Sequence, residues 1–211
     1  MKIDIVEYIT KRTPVSFFAR ANELLEAAFF DAYQHSETYE DPEKRRILGQ
    51  VRHYKQNAAL RAAGQAAGLI TAAPHTEPKG ERYSIVAAED IRFGRISVPA
   101  HNRLPRFSKH RGAIAALNSR LEPVCLSLFD QPPVTPADGL GCLIVTANPH
   151  WRDVQSVPHK IIVGVPYSNM KGWHLFEPLS DVLAAYNQPV EIEMQDLAWA
   201  KLKKQLNGAE E

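Results

Sequence analysis

The sequence predicts an α+β fold: an N-terminal helical pair followed by a mixed or antiparallel sheet flanked by helices. Three observations carry that reading. Apolar residues recur at three- and four-residue steps through the first third of the chain, the period of a helix with one buried side. Short runs rich in β-branched residues, such as 140–147 and 160–165, follow beyond residue 82 and are almost continuously apolar, only Thr146 and Lys160 departing, as strands covered on both faces are. Helical and strand segments do not alternate regularly, which argues against a repeated βαβ array. A hydrophobic share of 45% and a charged share of 23% fit a globular chain able to bury a core.

Residues 2–8, KIDIVEY, alternate apolar and polar and read as a short strand. Thr13-Pro14 then offers a cap and a proline in the first turn of a helix. Phe17, Ala21, Leu24, Ala28 and Ala32 make its inner stripe. A second helix opens at Asp41-Pro42 and closes at Gly68, with Ile47, Val51, Tyr54, Ala58 and Ala62 as the expected stripe. Lys44, Arg45, Arg52 and Lys55 fall in one cationic sector beside it.

The loop 72–81, with two prolines and a glycine, is the candidate boundary between residues 1–72 and a sheet-containing part at 82–211, unless the two form one continuous domain. Residues 83–88 and 91–98 read as paired strands joined at Glu89-Asp90, with Gly94 marking a bulge. Ser108 caps a third helix reaching about Leu121, with Ile114, Leu117 and Leu121 inward. Residues 124–129, 140–147 and 160–165 are strands, and QPPVTPADG is a stiff connection. Pro178 starts a short helix. VEIEM is one more strand, residues 195–207 a basic terminal helix, and the last four residues fray.

The N-terminus lacks a secretory leader, and no apolar run is long enough to span a bilayer, so a cytoplasmic protein without a membrane segment is expected. Cys125 and Cys142 sit in apolar runs and read as two buried, reduced thiols on neighbouring strands. P-loop, dinucleotide-binding, zinc-protease, nucleophile-elbow and EF-hand signatures are all missing, and no acid-x-Lys pair suits a metal-dependent nuclease. No cofactor is implied.

The net charge of +1 hides an asymmetry. Residues 1–42 carry four Lys/Arg against eight Asp/Glu, residues 43–121 fifteen against five, and residues 122–211 six against eleven. Such a basic middle suits a polyanion. Arg45, Arg52, Arg92, Arg95, Arg103, Arg106, Lys109 and Arg111 are therefore the expected DNA or RNA contacts of an accessory or regulatory protein with no chemistry of its own. Tyr83 and Phe107 are available to stack on bases.

Two rival readings start from other clusters. His101 and His110 beside Lys109 and Arg106 carry the groups for acid–base attack on a phosphodiester, the reading of a hydrolase or nuclease. His150, Asp153 and His159, in a loop between two apolar strands, supply metal-ligand types, with His174 and Glu177 downstream. An interaction subunit would instead dock through Trp151, Tyr167 and Trp173, with Met170 completing an apolar hairpin tip; the alternative for that tip is ordinary core filling.

Overall fold

The computed structural model describes residues 4–101, 104, 107–122 and 139–187 of the 211. The expected strand 124–129, the proline-rich connection up to Asp138, VEIEM, the terminal helix at 195–207 and the fraying end lie outside the described residues, as do Cys125, Arg103 and Arg106.

The fold is α+β, with five helices and a six-stranded mixed sheet among the described residues. Its first element corrects the sequence reading. The opening segment is a helix, α1 (Ile5–Arg12), not a strand. The Asp4 carboxylate accepts hydrogen bonds from the backbone N–H groups of Val6 and Glu7 at 3.0 and 3.1 Å and caps it. Ile5 and Ile9 then share one side, and only Ile9 is fully buried. Alternation over seven residues is too short to outweigh a cap and an i, i+4 pair.

Helix α2 (Val15–Ser36) buries Phe17, Phe18, Ala21, Leu25, Ala28, Phe29 and Ala32, close to the expected stripe. Pro14 itself holds the cap position, and no side chain caps this helix. Helix α3 (Glu43–Ala66) packs along α2 and ends before Gly68, whose φ of +73° is left-handed. Its buried side is not the expected one. Arg52, Gln56, Asn57, Ala59, Leu60, Ala63 and Gly64 are buried, while Tyr54, Ala58 and Ala62 are exposed. Hydrophobic periodicity misreads this helix because its inner face is part polar and part alanine.

Strands β1 (Ile70–Ala72), β2 (Ile85–Ala88), β3 (Ile91–Pro99), β4 (Leu140–Asn148), β5 (Lys160–Pro166) and β6 (Trp173–Pro178) lie in that order across the sheet. All neighbours are antiparallel except β3 and β4, which are parallel. Helix α4 (Lys109–Ala116) falls between those two strands in sequence and packs on both. It ends in a 3-10 turn, Ser119–Leu121. Asn118, fully buried, ties this connection down: its amide donates to the carbonyls of Gly141 and Pro166 at 2.9 and 2.8 Å and accepts from Gly141 N–H at 2.7 Å.

Gly94 does not form a bulge, and β3 pairs with β4 without interruption. Its purpose is close packing, since a Cβ there would lie 2.5 Å from Ile114 Cδ1 of α4. Gly141 is more demanding: a Cβ would stand 1.9 Å from the Ile114 carbonyl oxygen.

The sheet is covered on both sides. The larger cluster sets Phe17, Phe18, Leu25 and Leu60 against Phe93, Ile144 and Val163, so it draws on residues from both sides of the 72–81 loop. Helix α5 (Leu179–Ala185) adds Leu179 and Val182 to it. The smaller cluster sets Ile114 of α4 against Ile96, Val98, Leu143 and Val145. Met170, 4% exposed, joins this second cluster and Trp173 packs against it. The exposed apolar tip imagined for Tyr167, Met170 and Trp173 therefore does not form, because two of its members fill space beneath the sheet. Cys142 is buried and free. No helix among the described residues is long and apolar enough to cross a membrane.

Candidate anion site

Helix α3 lies on one face of the sheet and the first turn of α4 on the other. Towards the carboxyl ends of the parallel pair β3–β4 they enclose a cleft of about 460 Å³. In open α/β sheets this end of a parallel pair is the usual place for a ligand. The wall includes Arg52, His53 and Asn57 of α3, Arg95 and Ser97 of β3, and His110 and Arg111 of α4; Tyr83 and Asn148 complete its polar part. Among the described residues no carboxylate lines it.

Each guanidinium is placed by packing. Arg95 follows Phe93 on the side of β3 that faces α3 and is only 8% exposed. Its Nε donates to Gln56 Oε1 at 2.9 Å, and its Nη2 donates to the same oxygen and to Ser97 Oγ. Burial, and after it the nearby charge of Arg111, push its pKa down to about 9, so it stays cationic at neutral pH. Arg52, 7% exposed, donates to the Gln155 carbonyl and side chain and lies 3.9 Å over the Phe29 ring. Its Nε is buried without a partner, and burial pushes its pKa down to about 10. Among the described residues neither arginine is paired with a carboxylate. Arg111 donates from Nε to Ser108 Oγ at 2.8 Å, and burial lowers its pKa too.

Two imidazoles stand with these cations. His110 stacks on Tyr83 with ring centroids 4.3 Å apart. Burial, then Arg111 and His53, push its pKa down to about 4. His53 contacts the Asn57 amide at 3.1 Å, and burial followed by Arg95 lowers its pKa. Both rings are neutral at pH 7. The first turn of α4 holds no acidic residue, and Ser108 makes no side-chain cap bond to it, so the positive end of this helix meets no carboxylate of its own first turn.

Of the expected nucleic-acid contacts, the fold gathers three: Arg52, Arg95 and Arg111. Arg92 points to the other side of β3 and donates to the carbonyls of Glu89 and Ile91. Arg45 is exposed and meets Asp41 at 3.3 Å, and Lys109 is exposed on α4. The other cations of the expected α3 sector are matched as well, Lys44 by Glu37 at 2.7 Å and Lys55 by Asp31 at 3.4 Å. Of the expected acid–base cluster, His110 is in the cleft wall, while His101 and Lys109 are exposed and outside it.

The side chains of metal-ligand type that the sequence offered as candidates are not assembled. Among the described residues no group of three or more His, Cys, Asp or Glu could hold a metal ion. His150, Asp153 and His159 are each exposed along loop 149–159, and His174 instead faces Glu122 at 3.7 Å.

Sequence reasoning missed His53, Asn57, Ser97 and Asn148. A signal was present: Arg52 and Gln56 are one helical turn apart, and Arg95 and Ser97 share one side of a strand. Comparison with protein families, with curated proteins and with solved structures finds no match to this chain.

Proposed function

We propose that this protein binds a phosphate-bearing ligand in the arginine cleft. One observation carries the reading: Arg52 and Arg95 are buried in the wall of one cavity with no carboxylate partner among the described residues. Burying a charge without a counter-charge costs several kcal/mol. A multiply charged anion repays that cost on binding, and a phosphate presents several acceptor oxygens to forked guanidinium donors. A single carboxylate offsets only one of the cations. The expectation of DNA or RNA contact narrows accordingly, from an outward basic face to a pocket sized for part of a nucleotide.

Titration calorimetry at fixed ionic strength tests this. Pyrophosphate and phosphate should bind saturably at one site, acetate at least about tenfold more weakly, and Arg95→Met should abolish the difference. Binding that survives Arg95→Met unchanged, or no heat at all, contradicts the proposal.

A second reading, phosphoester hydrolysis, is favoured by the two neutral imidazoles in the cleft wall, since a neutral ring can take a proton from an attacking water. Its mark is turnover of a labelled oligonucleotide or nucleotide that disappears in His110→Gln while phosphate binding persists.

A further inference from the structure

We infer that the groove beside Trp151 holds the base of a nucleotide whose phosphate sits in the arginine cleft. This rests on the phosphate reading of the cleft and extends it to a substrate class.

The two spaces adjoin. A groove of about 550 Å³ runs between α3 and loop 149–159, and Gly49 and Arg52 line both it and the cleft. Their electrostatics differ. In the groove Lys44 and Arg45 are already matched by Glu37 and Asp41, and Asp153 adds a further carboxylate. A phosphate is disfavoured there and a neutral, flat heterocycle is not. The wall supplies a surface for one. Trp151 is 65% exposed and Val154 67%, an unusual display of apolar area beside a polar cavity. Arg152 rests 4.6 Å over the indole, and an arginine–indole pair is a platform on which bases stack.

Gly49 supports the connection. It sits within α3 on the exposed side, where glycine destabilises a helix relative to alanine. Packing does not call for it, because a Cβ there would meet nothing within 4 Å. A side chain would instead project into the passage shared by cleft and groove. The glycine keeps that passage open.

The test compares pyrophosphate, adenosine diphosphate and a 5′-phosphorylated single-stranded octanucleotide on the full chain and on two variants, Trp151→Ala and Gly49→Leu. Neither substitution touches the core, and Gly49→Leu should melt at the same temperature or higher. Trp151→Ala, outside the anion cleft, should lose about tenfold or more of the adenosine diphosphate affinity while keeping pyrophosphate affinity within about twofold, and Gly49→Leu, which narrows the shared passage, should lose at least as much adenosine diphosphate affinity. Of the two nucleotide arms, the tighter one gives the source of the nucleotide unit, free or at the end of a strand. Adenosine diphosphate binding no tighter than pyrophosphate, or left unchanged by both substitutions, overturns the inference while leaving the anion cleft standing. Absence of pyrophosphate binding to the unaltered chain overturns both.

Discussion

Phe93 and Arg95 are two residues apart on the same side of β3, and both are buried against the helical layer. Phe93 meets Phe17 and Phe18 with ring centroids 5.0 and 5.7 Å away, the middle of an aromatic cluster that closes α2 onto the sheet. Arg95 meets one glutamine, one serine and a cavity. One strand side thus passes within two residues from a dry contact that favours folding to a charge whose burial opposes it. Stability and binding are segregated along a single helix–sheet interface.

Three substitutions or conditions break that contrast, in falling order of size. Phe93→Ala removes the aromatic centre and should cost about 3–5 kcal/mol in urea unfolding, with anion binding lost only as the fold is lost. Arg95→Met together with Gln56→Leu should leave stability equal or raise it by about 1–3 kcal/mol, because a buried charge and the amide that serves it are replaced by apolar groups. The same double variant should show no phosphate binding. A large destabilisation there would mean that the arginine is structural.

Acidification gives the smallest effect. The pKa of His110 in the folded chain, about 4, lies below the ordinary 6.5. Between those values the unfolded chain takes up a proton that the folded chain refuses, so stability should fall as pH drops through this window and be indifferent to this group above it. His110→Gln should flatten that part of the melting-temperature profile. A bound phosphate favours the imidazolium, so ligand binding should take up protons near pH 6, measurable as a buffer-dependent heat.

The elements that were legible in the sequence are those whose inner faces are apolar. The stripe of α2, the hairpin of β2 and β3, and the continuously buried β4 and β5 all follow from hydrophobic period and turn residues. Helix α3 was placed correctly and turned wrongly, since Arg52 and Gln56 point inward where a pattern reader assigns polar residues outward. The same inversion hid the site. A basic middle segment was visible, but charge counting cannot tell Arg95, facing α3, from Arg92 on the opposite side of the strand. Nor does it place His53 and His110, far apart in sequence, in the wall of one cleft, which happens only because α3 and α4 flank the same end of β3 and β4.

The most direct test of the central claim, that buried guanidinium groups in this cleft await an anion, is thermal unfolding in phosphate and in chloride at equal ionic strength. The unaltered chain should melt higher in phosphate, with stabilisation growing to about 2.7 kcal/mol at a hundredfold excess over the dissociation constant. The Arg95→Met/Gln56→Leu variant should melt at one temperature in both salts. An equal phosphate shift in both proteins, or none in either, would contradict the account.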